Sequence, residues 1–421
     1  MSVVNFIAAA SGGVTPPSPG LNSLVDELGA FAATPFLSGT PICISRDGST
    51  VFAFGYNLST PGIWVWRWNG TNWPNLQILT FSTTSDFTGF TLAAERRYFV
   101  LRCNDDGSRV YFSIPHVTDG GDGVVYAWHE SAGVWTEADR ITPPSSGLAG
   151  RFGWGLACDG TGSRIAIGEP SIDHSTAYGN MGQVHVLTES GGTYSIEQTI
   201  EDTATDGNDD GIGTRLGTYC GLSDDGSVLI VGSFGRWGPS FNGFGLLESY
   251  TRSGSTWSLE AHHYPSEDDF FINRLSQNHI AISEDATVIL IARQDAQFGP
   301  PYLTTGHYTR SGGAFVFQSM IGLGPAADFD HPGDPPLRMS SDGSSAIYGD
   351  PFDNANGTND GTIRLWSGPS SWASVADINH PASPSPNSYE MGRTADISGD
   401  GSIVVWASTT SNPKQVFAQV L

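Results

Sequence analysis

One pattern recurs along the whole chain and limits its folds more than any other feature. SRDGSTVFAFG (45–55) has counterparts in NDDGSRVYFSI (104–114), CDGTGSRIAIG (158–168), SDDGSVLIVG (223–232), SEDATVILIA (283–292), SSDGSSAIYG (340–349) and SGDGSIVVWA (398–407). The residue after the turn falls at 49, 108, 163, 227, 287, 344 and 402, so seven copies at about 59 residues nearly fill the 421-residue chain. A fixed period of this size is the mark of a propeller or solenoid. Asp-Gly between β-rich runs suggests a two-residue type I′ hairpin, which makes Asp47 a turn residue before it is a catalytic or calcium-binding one.

Each copy has the same grammar. A short apolar strand precedes the turn (PICIS, HIAIS) and a β-rich strand follows it (TVFAFG, RIAIG, VLIVG). A loop of variable length then ends at a glycine before a third strand: GIWVWRW (62–68), GVVYAWH (123–129), GQVHVLT (182–188), GLLESYT (245–251), GHYTRSG (306–312) and GTIRLWS (361–367). A small turn ends at an aromatic residue (Trp73, Trp135, Tyr194, Trp257, Phe315 and Trp372), and a weaker fourth strand follows. Apolar and polar residues alternate along the third strands, which implies one better-buried face. Four antiparallel strands per unit with variable loops is the pattern of a propeller blade. The expected fold is an all-β, seven-bladed β-propeller. Residues 1–35 are read as closing strand and linker, and 36–421 as the propeller. The seventh unit ends after three strands, so SVVNFIAAA near the N-terminus is expected to supply the fourth and close the ring. LNSLVDELGA (21–30) is the one helical candidate.

Composition narrows the function. The net charge of −24 disfavours nucleic acid and anionic bilayers as partners. No apolar run is long enough for a membrane span, so no membrane insertion is expected. The four cysteines (Cys43, Cys103, Cys158, Cys220) precede the turns of the first four copies and form no CxxC pair. They read as small buried residues on equivalent strands, close enough in neighbouring units to leave a disulfide open.

The third copy, RFGWGLACDGTGSRIAIGEPSIDHSTAYGNMGQVHVL (151–187), carries a resemblance. Phe152-Gly153, Gly168-Glu169-Pro170 and the glycine before VHVL resemble the FG-GAP repeat of integrin α-subunit heads and of bacterial and viral surface proteins. Leu216-Gly217 and Met391-Gly392 echo the first element, and GDPFDNANGTNDGTIRLW (349–366) echoes the second. The resemblance implies a seven-bladed propeller acting as a binding or assembly module. The turns depart from the calcium-binding version of that repeat, because serine or threonine and then apolar strand follow the turn, with no DxDxDG cage.

Two loops are richer in oxygen donors. EDTATDGNDDGIG (201–213) offers Asp206, Asn208 and Asp210, and DPFDNANGTNDG (350–361) offers Asp353, Asn356 and Asp360. Solvated Asx-turns account for both loops; calcium is the sharper alternative, and otherwise no cofactor is expected. Two loops are rich in aromatics: FGRWGPSFNGFG (234–245), with Trp237, Phe241 and Phe244, and EDDFFINR (267–274), with Phe270 and Phe271. Aromatics on loops of a rigid scaffold are binding candidates. The alternating Trp64, Trp66 and Trp68 are instead expected to pack between blades.

Catalytic signatures are not recognisable. SRDGSTVF misses the sialidase Asp-box, GLSDDGS lacks the nucleophile elbow, and no phosphate or dinucleotide loop is present. The expectation is a non-enzymatic propeller working by contact. The opening MSVVNFIAAASGG resembles the starts of phage tail and other virion proteins, which implies a virion surface or tail component. Its partners would be other virion or surface proteins, with a host glycan or receptor. The alternatives are a secreted or cell-surface adhesion protein and a propeller glycosidase or lyase.

Overall fold

The recurring turn is longer than the dipeptide suggests. Strands end at Ile44 and resume at Thr50, and the connection is five residues in all seven copies (45–49, 104–108, 159–163, 223–227, 283–287, 340–344, 398–402). Gly48 N–H donates to Ser45 O at 2.9 Å, and Gly48 takes a φ of 71° while Asp47 does not enter the left-handed region. This is a type I turn followed by a left-handed glycine, not a type I′ hairpin. Asp47 organises it. Its Oδ1 accepts from Ser45 Oγ (2.6 Å) and Ser49 N (2.8 Å), and its Oδ2 accepts from Ser49 Oγ (2.9 Å). Asparagine keeps the Oδ1 contacts, so Asp47→Asn is expected to change unfolding free energy by less than about 0.5 kcal/mol. Gly48→Val forces a β-branched residue into the left-handed region and is expected to cost about 2 kcal/mol. Urea melts of the two variants check both outcomes.

The computed structural model describes residues 25–31, 41–57, 60–87, 99–115, 122–145, 148–173, 180–201, 215–233, 246–263, 280–295, 302–325, 336–350, 361–368, 372–379, 391–408 and 414–421. They form seven four-stranded antiparallel sheets. Blade 1 holds Ile42–Ile44, Thr50–Asn57, Thr60–Arg67 and Asn75–Leu79; blade 2 holds Val100–Cys103, Arg109–Ile114, Val124–Ser131 and Val134–Ile141. Blade 3 holds Leu156–Cys158, Arg164–Glu169, Gln183–Ser190 and Thr193–Glu201; blade 4 holds Leu216–Leu222, Val228–Ser233, Leu246–Ser253 and Thr256–His263. Blade 5 holds Ile280–Ile282, Val288–Asp295, Tyr302–Ser311 and Ala314–Pro325; blade 6 holds Leu337–Met339, Ser345–Asp350, Thr362–Ser367 and Ala373–Ile378. Blade 7 holds Ala395–Ile397, Ile403–Ser408 and Lys414–Val420. The first strand of each blade abuts the first strands of its neighbours around the axis. The only helix among the described residues is the short 3-10 turn Thr84–Phe87.

The fourth strand of blade 7 is Val25–Phe31, paired antiparallel with Lys414–Val420 from Val25↔Gln419 to Phe31↔Lys414. This corrects two expectations. The strand comes from the segment read as a helix, and it occupies the place assigned to SVVNFIAAA, which lies outside the described residues. Seven residues paired to an open sheet edge gain a ladder that an isolated two-turn helix does not have.

One-sided burial of the third strands is also not found. Val124–Tyr126, Val184–Val186 and Leu246–Glu248 are buried without interruption, His185 and Glu248 included. Blades stack on both faces of each sheet, so both faces of a middle strand are covered. Seven apolar clusters result, one in each junction between neighbouring blades. Trp64, Trp66 and Trp68 lie in the junction of blades 7 and 1, as expected of a packing stripe. The aromatic after the third strand seals the turn: Trp135 Nε1 donates to Gly107 O at 3.0 Å, while its ring packs edge-on to Phe52 of blade 1.

Antiparallel alternation sorts the connections onto two rims. The five-residue turns and the short connections between third and fourth strands share one rim, here the turn rim. The connections from second to third strands and from each fourth strand to the next blade share the other, the loop rim, and they vary in length from residues 58–59 to residues 80–99.

Candidate functional site

The turn rim is laced around the axis by main-chain hydrogen bonds. Asp47 N donates to Asp105 O, Asp105 N to Gly160 O, Gly160 N to Asp224 O, Asp224 N to Glu284 O, Glu284 N to Ser341 O, Ser341 N to Gly399 O and Gly399 N to Arg46 O, all at 2.8–3.1 Å. The circuit runs once through all seven blades. It places the residue after the first turn position (Arg46, Asp105, Gly160, Asp224, Glu284, Ser341, Gly399) around the mouth of the channel.

Their side chains form a second circuit. A Cβ on Gly160 would lie 1.9 Å from Asp224 Oδ1 and 2.5 Å from Asp105 Oδ2, so the carboxyls of blades 2 and 4 meet over the glycine of blade 3. Arg46 Nε lies 3.2 Å from Asp105 Oδ1, and Arg46 NH1 donates to Ser341 Oγ at 2.8 Å over Gly399. Burial first, and then the hydrogen bond with the Asp224 carboxyl, pushes Asp105 up to about 8, against the pull of Arg46. Burial and the charge of Asp224 also raise Glu284. The shift favours the protonated form of the Asp105 carboxyl in the folded ring. A carboxyl with a raised folded pKa favours the fold below its unfolded pKa, and that contribution is lost as pH rises through about 8. Asp105→Asn is expected to melt above wild type at pH 8 and to lose this advantage towards pH 4; melts across that range check it.

One turn of chain further in, the inner strands carry a different set at one register. Two residues before the first turn position stand Cys43, Arg102, Ala157, Gly221, Ala281, Arg338 and Asp396. Arg102 NH1 donates to Leu101 O (3.0 Å) and Arg338 NH1 to Leu337 O (2.9 Å), the same fold-back on blades 2 and 6. Arg338 Nε lies 3.7 Å from Asp396 Oδ1, and Asp396 Oδ2 accepts from Ile44 N at 3.1 Å. Burial lowers Arg338 to about 10, helped by the like charge of Arg102, while Asp396 pulls the other way. Burial raises Asp396 and outweighs the two arginines. Tyr219 of blade 4 feels both guanidiniums, and its hydroxyl lies over Gly221. The inner strands of blades 2, 4 and 6 are not neighbours in the ring and reach one another only across the axis, so Arg102, Tyr219 and Arg338 line the central channel, with Asp396 beside Arg338 on the adjoining blade.

Trp237, Phe241, Phe244, Phe270 and Phe271, and the candidate ligands Asp206, Asn208, Asp210, Asp353, Asn356 and Asp360, all fall outside the described residues. The segments that hold them connect strands at the loop rim. Among the described residues no group of three or more His, Cys, Asp or Glu is placed to hold a metal ion. None of the four cysteines is in a disulfide, and Cys158 Sγ donates to Cys103 O at 3.3 Å. The channel groups were legible in one respect only: aligning the copies on their turns puts Arg102, Arg338 and Asp396 at a position otherwise small.

Blade count, strand number and an axial channel define a seven-bladed β-propeller. No protein-family model matches the sequence, and no curated protein matches it. Solved structures do match in fold. An oligogalacturonate lyase from Vibrio parahaemolyticus has a TM-score of 0.53 at 10% identity, covering 94% of this chain and 93% of its own. The Dos1 propeller has a TM-score of 0.51 at 9% identity, covering 94% and 95%. A candidate 6-phosphogluconolactonase from Bacteroides fragilis has a TM-score of 0.50 at 12% identity, covering 86% and 87%. At such identity the likeness shows the fold alone. It corrects the expectation of a non-enzymatic protein: this propeller scaffold also occurs in proteins described as a lyase and a lactonase, so unrecognised motifs do not exclude catalysis.

Proposed function

We propose that the protein is a recognition propeller that meets its ligand or partner at the loop rim. The observation that supports this is the division of labour between rims. Turns of constant length are tied in a closed hydrogen-bond circuit on one side, and connections of unequal length stand on the other. Constant turns serve the scaffold, whereas unequal loops serve contact. In its finer form the reading is a virion surface or tail component, with virion proteins as neighbours and a host glycan or receptor at the loops. A secreted or cell-surface adhesion protein would use the same rim, with calcium in the 201–213 or 350–361 loop. Replacing 234–245 by a short Gly-Ser linker in the full chain tests the reading. Co-sedimentation with particles, or signal on a glycan array, is expected to fall at least tenfold, while Asp106→Asn at the turn rim leaves it unchanged. The reverse pattern overturns the assignment of the rim, and loss with EDTA that calcium restores selects the adhesion form.

A further inference from the structure

One register of the channel wall is cationic where the chain as a whole is strongly anionic. At one register the inner strands supply two guanidiniums, Arg102 and Arg338, against the single carboxylate of Asp396. The same register on blades 3, 4 and 5 is Ala157, Gly221 and Ala281, so those blades supply no charged group there; the Tyr219 hydroxyl lies over Gly221. Each arginine is braced by a hydrogen bond from NH1 to the carbonyl before it, which restrains the side chain in the same way on blades 2 and 6. Two like charges held near each other in a buried wall are unfavourable unless an anion lies between them. Asp396 offsets this in part, but it sits on blade 7 beside Arg338 and accepts a main-chain hydrogen bond from blade 1.

We propose that the channel wall binds an anionic group, a carboxylate or a phosphate, between Arg102 and Arg338, with the Tyr219 hydroxyl as a further donor. Planar guanidiniums suit both anions, since each presents paired donors to paired oxygens. Entry is from the loop rim, because the Arg46–Asp105 and Arg46–Ser341 contacts and the carboxyls over Gly160 occupy the other mouth. The proposal stands on wall residues alone, so failure of the loop-rim experiment leaves it intact.

The test is calorimetric titration of the full chain at low ionic strength with D-glucuronate, glucose 6-phosphate and D-glucose. At least one anion is expected to bind, with affinity falling as salt is raised, and glucose is expected not to. Arg102→Gln gives up one hydrogen bond to the main chain and is expected to fold, as circular dichroism reports, and to weaken the anion about ten- to a hundredfold. Arg338→Lys keeps the charge but not the fork and is expected to weaken it less. Asp396→Asn removes the competing carboxylate and is expected to tighten it. Glucuronate alone binding selects a carboxylate ligand, and the 6-phosphate alone selects a phosphate. Equal binding of glucose, no binding of either anion, or unchanged affinity in Arg102→Gln overturns the site.

Discussion

Gly168→Ala is expected to lower the unfolding free energy by about 3 kcal/mol or more, a large share of the roughly 5–15 kcal/mol that holds a domain together. The reason is a main-chain contact between blades. A Cβ on Gly168 would stand 1.9 Å from Gly217 O, and no side-chain rotation can relieve a clash with backbone. Gly217 itself has a φ of 93° and follows Leu216, which bridges in parallel to Gly182 of blade 3. The arrangement repeats between blades 6 and 7. Gly349 faces Gly392 O at the same 1.9 Å, and Met391 bridges to Gly361. Gly349→Ala should therefore cost about as much. Gly133→Ala is the control: it has a φ of 84° but nothing within 4 Å of its Cβ, so only the left-handed penalty of about 1–2 kcal/mol applies. Denaturant melts of the three variants rank the effects. A Gly168→Ala melt no lower than that of Gly133→Ala would contradict the close approach.

The same glycines explain what the sequence disclosed. Phe152-Gly153, Leu216-Gly217 and Met391-Gly392 stood out as elements of a surface-protein repeat, and they enter blades 3, 4 and 7. Gly153 N donates to Gly168 O at 2.9 Å, and Gly123 bridges to Phe152 from the preceding blade. The motif is thus the joint between blades, and it carries architecture rather than ligand. Turn spacing disclosed the blade count for a similar reason, since the five-residue turns satisfy themselves locally: five of the seven use an Asp47-type carboxylate with a Ser45-type hydroxyl, while Asn104 and Asp159 take the first position in blades 2 and 3. The channel is another matter. Arg102 and Arg338 lie 236 positions apart in sequence, and Asp396 stands on a third blade. Their charges meet only when the ring closes, which no local pattern encodes. Burial on both faces of the middle strands was hidden likewise: polar His185 is buried because it contacts Glu169 (3.0 Å) and Thr199 (2.9 Å) inside blade 3.

Deleting residues 25–31 is expected to be the most damaging single change at the ring's seam. Those residues pair with Gln415–Gln419 and Lys414 of the last strand, with one irregularity between Glu27 and Gly29. At about 0.5–1.5 kcal/mol net for each ladder hydrogen bond, losing the six paired positions amounts to roughly 3–9 kcal/mol. The effect extends inward, because Val416, Ala418 and Val420 belong to the cluster that joins blade 7 to Trp64 and Trp66 of blade 1. A last strand without its outer partner frays, and with it the one junction that links the chain's end to its beginning. The strand Lys414–Val420 also becomes an open edge, which favours pairing with other chains. The deleted protein is expected to melt at much lower denaturant, with a shallower transition, and to run as higher assemblies in size-exclusion chromatography. A synthetic peptide of residues 21–33 should restore part of the loss in proportion to its concentration, since a ligand for the folded ring alone stabilises by mass action. If the deletion melts with the full chain, the ring is not closed by this strand. If it melts early but the peptide restores nothing, the loss arises from the linker and not from the pairing.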